Sequence, residues 1–283
     1  MSSFCTILHK NHLYAFLCET VQISRHAMTA QDQHPRNAGM GTLAWGQGRD
    51  GSLTSTEKIR LIGNLAYVQI RERFDTMRCQ LDLLVPAQLE LESILPPNTA
   101  LVEDALGLAS ETHQDALFYH SWRTYLFGAL IAAHERLAYD PSLFFAAAIL
   151  HDIGLTEHHE PHLCSRCFAL SGGERVRAHL RSKGHAETAA QKVGNAIALH
   201  LNGWVSARTH GAEAHLVSRG AVCDLFGAGR HRIAPATLSA VLERFPRNGV
   251  IEALQFETAR HKEGTRPAVM TSLSRGKAPA EPF

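Results

Sequence analysis

The sequence lacks a dominant charge: 28 lysines and arginines stand against 27 aspartates and glutamates. That balance gives no reason to expect a nucleic-acid partner. It also lacks any apolar run of about 18 residues, so no segment is expected to span a membrane. The opening stretch, MSSFCTILHKNHLYAF, lacks the basic-then-apolar order of a secretory leader. The cytoplasm is therefore the expected compartment. Cysteine is scarce, with six residues scattered through a chain too long to need disulfide staples. They read as mostly free thiols. No strand-to-helix phosphate loop and no GxSxG elbow is present, and nothing alternates with period two over a useful length. Phosphate-loop and serine-elbow enzymes are thereby set aside, and an all-α architecture is left.

What the chain does have is histidine, 18 in all. Helical signals also recur along it. Residues 1–55 are poorly patterned and glycine-containing, and read as a loose N-terminal segment in which Met28 or Met40 is an alternative start. His9, His12, His26 and His34 lie there without a carboxylate at a helpful spacing. Residues 56–110 form a helical lead-in, residues 111–265 the main domain and residues 266–283 a flexible tail. Within the lead-in, 57–79 predicts a helix, Pro86 opens a further element, and Asn98 or Thr99 caps a helix from Leu101 to Gly107. A long helix is expected over 112–134, capped by Thr112, with Leu117, His120, Thr124, Phe127 and Ile131 on one face. Asp140-Pro141 then interrupts the pattern, and a helix from Ser142 to Leu150 follows. Further helices are read from Val176 to Leu180, His185 to Asn202, Glu213 to Cys223, Ala236 to Phe245 and Gly249 to His261. Cys164 and Cys167 make a CxxC beside His159 and His162. They read as two local cysteines in a loop rather than as a zinc knot, which needs a second ligand pair.

The stretch FFAAAILHDIGLT, 144 to 156, organises the reading. An imidazole and a carboxylate, His151 and Asp152, end a greasy segment, where polar groups are costly unless paired or metal-bound. Gly154 then allows a tight reversal. Three other segments repeat the theme. His120 lies inside one apolar helix, His200 ends a second, and Asp224 ends a third. Three imidazoles and two carboxylates suit zinc, iron, manganese or cobalt. Two carboxylates only neutralise a divalent ion, so a water at that ion keeps a lowered pKa. Asp152 is read as a ligand or as the group that takes the water's proton. Arg123, three residues after His120, would hold a substrate anion or brace Asp152. His215 is a weaker candidate ligand, and His158 or His159 would join a second metal or meet substrate. Trp204 would line a cavity or anchor its loop.

Several longer stretches carry a resemblance. HSWRTYLFG at 120–128, LHDIGLT at 150–156, RCFALSGGERVRAHLRSKG at 166–184 and AIALHLNG at 196–203 are four of them. HLVSRGAVCDLFG at 215–227, FPRNG at 245–249 and RPAVMTS at 266–272 complete the set. Together they resemble the HD-domain metal-dependent hydrolase superfamily, and more narrowly its cyanamide hydratase-like branch. The resemblance implies an HD-domain helical bundle in which His120, His151, Asp152 and Asp224 hold one metal and His200 stands close by. The superfamily includes nucleotide phosphohydrolases and phosphodiesterases, and the branch includes enzymes that hydrate cyanamide to urea. Leu170-Ser171 replaces an acidic position frequent in the branch, and the LNGWVSARTH loop departs as well.

The expected activity is hydrolysis of a small molecule, such as a phosphate ester, by a metal-activated water. Asp152, Arg123 and His200 are the expected catalytic residues. Nitrile hydration is the alternative, and a metal-containing sensor without turnover is a third reading. Homo-oligomerisation stays open.

Overall fold

The computed structural model describes residues 39–156, 166–251, 254 and 261–273. Among them the chain is all-α, as the patterning requires. Two isolated β-bridges, Ser52 to Thr265 and Ala87 to Ile233, are the extended pairings present. No described helix is long and apolar enough to cross a membrane.

Eleven α-helices are described. They are α1 (Leu43–Gly46), α2 (Ser55–Gln80), α3 (Ala100–Thr112), α4 (Asp115–Glu135), α5 (Pro141–Ile149) and α6 (Phe168–Ser182). They continue with α7 (Glu187–Leu199), α8 (Ala207–His210), α9 (Ala212–Phe226), α10 (Pro235–Arg244) and α11 (Arg266–Leu273). Local chemistry sets most of their ends. Thr54 and Glu57 close a reciprocal capping box at the start of α2. Thr99 caps α3 through the Val102 amide. Asp140 accepts from the Ser142 and Leu143 amides, and Pro141 occupies the first position of α5. The Asp140-Pro141 pair is thus a helix start rather than a break. Gly227, at φ 69°, ends α9 in the left-handed conformation that glycine adopts without strain.

Several boundaries differ from the pattern-based reading. The predicted 112–134 helix begins at Asp115, and Thr112 instead closes α3, its hydroxyl donating to the Leu108 carbonyl. Residues 86–90 form no helix. Ala87 pairs with the Arg232 and Ala234 backbone, and a 3-10 turn follows at Leu91–Ile94. The short 176–180 helix is the middle of the 15-residue α6. His200 to Asn202 is a 3-10 turn after α7. Residues 40–53, read as loose, bury Met40, Leu43, Trp45 and Leu53. Arg266, read as the start of a frayed tail, is fully buried and donates to the Ala198 carbonyl and to Asn202 Oδ1. His9, His12, His26, His34, His158, His159, His162, Cys164 and most of the predicted 249–261 helix lie outside the described residues.

The core is built from α4, α5, α7 and α9, with α3 and α6 packed on it. Every residue of α5 from Leu143 to Ile149 is buried. Helices α4 and α9 touch backbone to backbone. A Cβ on Gly220 would lie 1.9 Å from the Thr124 carbonyl oxygen. Glycine at that crossing lets His120 and Asp224, one on each helix, meet side by side.

Candidate metal centre

Each side chain reaches the centre for a local reason. His120 lies two turns into α4 on a buried face. Helix α5 is too apolar to end in water, so its C-terminus delivers His151 and Asp152 into the interior. Gly154 keeps that turn tight without a left-handed φ. A Cβ there would lie 2.2 Å from the Phe168 carbonyl oxygen, so close approach, not chain reversal, requires glycine. His200 follows α7, and Asp224 sits in the last turn of α9. All five residues are buried.

The ring nitrogens are oriented pairwise. His151 Nδ1 donates to the Ala148 carbonyl at 2.8 Å. His200 Nδ1 donates to the Ile197 carbonyl at 2.7 Å. His120 Nδ1 donates to Asp224 Oδ2 at 2.6 Å. Each donation fixes the tautomer and leaves Nε2 with a lone pair. His120 Nε2 and His151 Nε2 then face each other at 3.2 Å, and two lone pairs cannot satisfy one another. Asp152 Oδ2 joins them, 3.5 Å from His120 Nε2 and 3.1 Å from His151 Nε2. Its other oxygen lies 3.3 Å from His200 Nε2. A convergent set of acceptors with outward donors is the arrangement of metal-ligating histidines.

The fit to a divalent ion is good. His120, His151 and Asp152 offer one ligand atom each, all within 4.8 Å of one another. The electrostatics agree. Burial alone would raise the Asp152 carboxyl. The neighbouring His151, with the His120 and His200 imidazoles beside it, carries it well below the usual carboxylate range. Burial would lower the His120 imidazole, yet Asp152 and Asp224 raise it. The centre attracts positive charge, and nitrogen and oxygen donors suit a first-row divalent ion.

Asp224 stands behind this group rather than in it. It holds the far nitrogen of His120, and Arg123 grips it bidentately, Nε to Oδ1 at 2.7 Å and Nη2 to Oδ2 at 2.9 Å. Arg123 Nη1 donates to the Phe245 and Pro246 carbonyls. Arg123 therefore braces Asp224, not Asp152, and all three of its nitrogens are engaged by Asp224 and these two carbonyls. Arg247 Nη1 adds a contact to Asp224 Oδ1 at 2.7 Å. His215 is not at the centre. It donates through Nδ1 to the Val205 carbonyl and meets Glu135 through Nε2 at 3.0 Å. Trp204 anchors a helix: Tyr67 packs on it edge-on at 4.9 Å, and the Arg71 guanidinium lies 4.7 Å from its ring.

Two residues near the centre escaped the sequence reading. His113, in the gap between α3 and α4, has a buried Nε2 without a hydrogen-bond partner. Burial first, and then His151, push its pKa down to about 4. His261 stacks on Phe168 at 4.8 Å, and Phe168 lies 5.8 Å from the His200 ring. Neither nitrogen of His261 has a partner, and burial lowers it to about 4. The only sequence signal for His113 was its spacing, two helical turns before His120. Nothing local marked His261.

No curated protein matches the chain. Residues 117–238 match the family model described as HD domain. That span contains His120, His151, Asp152, His200 and Asp224. The buried His120, His151 and Asp152 group is thus an HD-domain metal-binding motif, consistent with the HD hydrolase superfamily.

Proposed function

We propose that the protein is a metal-dependent hydrolase or hydratase acting on a small molecule. One observation carries the reading: two imidazole lone pairs and a carboxylate converge in a buried site with their outward nitrogens tied down. A divalent ion held there would supply a water of lowered pKa and a Lewis acid toward the bond under attack. His120, His151 and Asp152 are the proposed ligands. Asp224 and Arg123 position His120 and stay off the substrate. His200 Nε2 faces the free oxygen of Asp152, and burial lowers its pKa, so it stands neutral and ready to take a proton at that atom.

The side chains around the centre favour an uncharged electrophile such as a nitrile over a phosphate ester. His113 and His261 are neutral at pH 7, Phe168 is apolar, and the Arg123 guanidinium is engaged by Asp224. Arg175 is the feature that would support a phosphate ester, with Nη1 donating to Thr156 Oγ1 at 3.5 Å.

Elemental analysis of wild type beside His151→Ala tests the centre, with both proteins assayed on cyanamide and on a panel of phosphate esters. Wild type is expected to hold about one equivalent of metal and to turn over one substrate class. His151→Ala is expected to lose the metal and to fall to background rate. Metal-free wild type after reconstitution overturns the reading. Turnover of phosphate esters alone overturns the preference for a nitrile.

A further inference from the structure

Helix α2 is amphipathic the wrong way round. The side facing the body is mostly polar. Glu72 accepts from the Gly229 amide at 2.6 Å and from Arg219 at 3.3 Å. Asp75 accepts from Arg232 Nε at 2.8 Å, and Asn64 donates to the Asn202 carbonyl at 2.9 Å. Leu61 and Val68 are its buried apolar residues. The side facing away carries Ile59, Ile62, Ile70, Phe74 and Met77, with Leu81 as the C-cap, and Ile59 is 70% exposed and Ile70 66% exposed. Exposed to about half their surface, these side chains present on the order of 700 Å² of apolar area. A monomer's largest patch is about 300–600 Å², and each side of a standard interface is about 800 Å².

The order of this stripe identifies what covers it. Its central positions are Ile59, Gly63, Ala66, Ile70, Phe74, Met77 and Leu81, at intervals of four, three, four, four, three and four. The spacing reads the same in both directions about Ile70. An antiparallel second copy, related by a two-fold axis at Ile70, therefore matches Ile59 with Leu81, Gly63 with Met77 and Ala66 with Phe74. Each small residue meets a large one, as close helix packing needs. Gly63 has no packing reason among the described residues. A Cβ there meets nothing within 4 Å, yet glycine inside a helix costs about 1 kcal/mol relative to alanine. The flanking charges also fit. Lys58 falls opposite Asp82, and Arg73 falls opposite Tyr67, a cation over a ring. No two like charges oppose one another.

We infer that the protein forms a symmetric dimer by antiparallel pairing of α2 with α2 of a second copy, centred on Ile70. Such an interface is isologous and closed, so it stops at two copies. It is independent of the metal centre and of the reaction proposed above.

Sedimentation equilibrium of the full chain tests it. Wild type is expected at twice the 31.1 kDa chain mass at tens of micromolar. Ile70→Asp sets two carboxylates face to face on the axis and is expected to raise the dimer dissociation constant at least about 100-fold, with helix content and metal content unchanged. Gly63→Leu is the second variant. It is expected to dissociate the dimer while leaving the melting temperature of the isolated subunit equal or higher, because the added side chain meets only solvent there. In a Cys79→Ser background, Ile70→Cys is expected to cross-link to itself on mild oxidation, whereas Ile59→Cys alone is not. A wild type that stays monomeric overturns the pairing and leaves the stripe to residues 1–38 or to another protein. A dimer that survives both Ile70→Asp and Gly63→Leu overturns it as well.

Discussion

Helices α4 and α2 are both long, and the protein uses them in opposite ways. Thirteen of the 21 residues of α4 are buried, against three of the 26 residues of α2. The Ser121 and Thr124 hydroxyls of α4 are buried without a hydrogen-bond partner. Helix α4 is wrapped by α5, α9 and the 3-10 turn at Leu91–Ile94, so a buried charge or imidazole in it must find a partner inside the core. His120 and Arg123 do so, and both belong to the metal centre. Helix α2 is attached along one edge by Asn64, Arg71, Glu72 and Asp75. Its polar residues are the attachment and its apolar ones are left over. A buried imidazole or guanidinium in α4 therefore points to chemistry, and an apolar residue on the outer side of α2 points to association.

The contrast can be broken hardest at the α4–α9 crossing. Gly220→Ala forces a methyl group into the Thr124 carbonyl, which is backbone and cannot swing away. We expect a loss of about 3 kcal/mol, the upper end of overpacking, together with loss of metal as His120 and Asp224 are pushed apart. Urea denaturation and elemental analysis would read the two effects. If stability fell while metal content held, the crossing would matter to packing but not to the centre.

At the α2 attachment, Asp75→Ala leaves Arg232 nearly buried with Glu135 as its remaining carboxylate. A loss of about 3 kcal/mol is expected, at the low end for a broken buried pair because Glu135 remains. Adding Arg232→Met should recover much of it, since the unpaired buried charge is then gone. The metal centre should keep its ion throughout. Full recovery in the double variant would show that Asp75 and Arg232 set the register of α2 more than they stabilise it.

The sequence made the α4 side of this contrast easier to read than the α2 side. His120, His151, Asp152, His200 and Asp224 stood out because each interrupts an apolar run, and a buried polar group needs a reason. Thr99 announced its helix through cap chemistry that is local by nature, whereas the caps at Thr54 and Asp140 went unread, the first taken for loop and the second for a break. Arg123 was placed near His120, but periodicity gives a direction and not a partner, so its grip on Asp224 rather than Asp152 went unread. His113 and His261 fell within expected helices, 112–134 and 249–261, but each lies in a polar run, so neither stood out as an interruption. Arg266 was missed because its partners, Ala198 and Asn202, are more than 60 residues away, and the proline after it suggested fraying. In α2 the amphipathic pattern was visible, but which face turns inward depends on the charges of the body beneath it.

The smallest expected effect concerns pH and the same attachment. Burial would raise the Glu135 carboxyl, but His215, Arg232 and Arg71 hold it below its ordinary value of 4.5. A carboxylate depressed on folding stabilises the protein above the unfolded pKa, and that contribution fades as pH falls through the folded value. The anchoring of α2 should therefore be constant from neutrality down to about pH 5 and weaken below about pH 4.5. Hydrogen exchange along α2 should accelerate there before that of α4 does, because α4 is held mainly by apolar packing that acid does not touch. Glu135→Gln should flatten the acid limb for α2 by less than about 1 kcal/mol, since Glu135 is only partly shielded from water. Simultaneous acid opening of both helices would show that α2 and α4 unfold as one unit, and the separation between an ionic attachment and an apolar core would then be one of design rather than of dynamics.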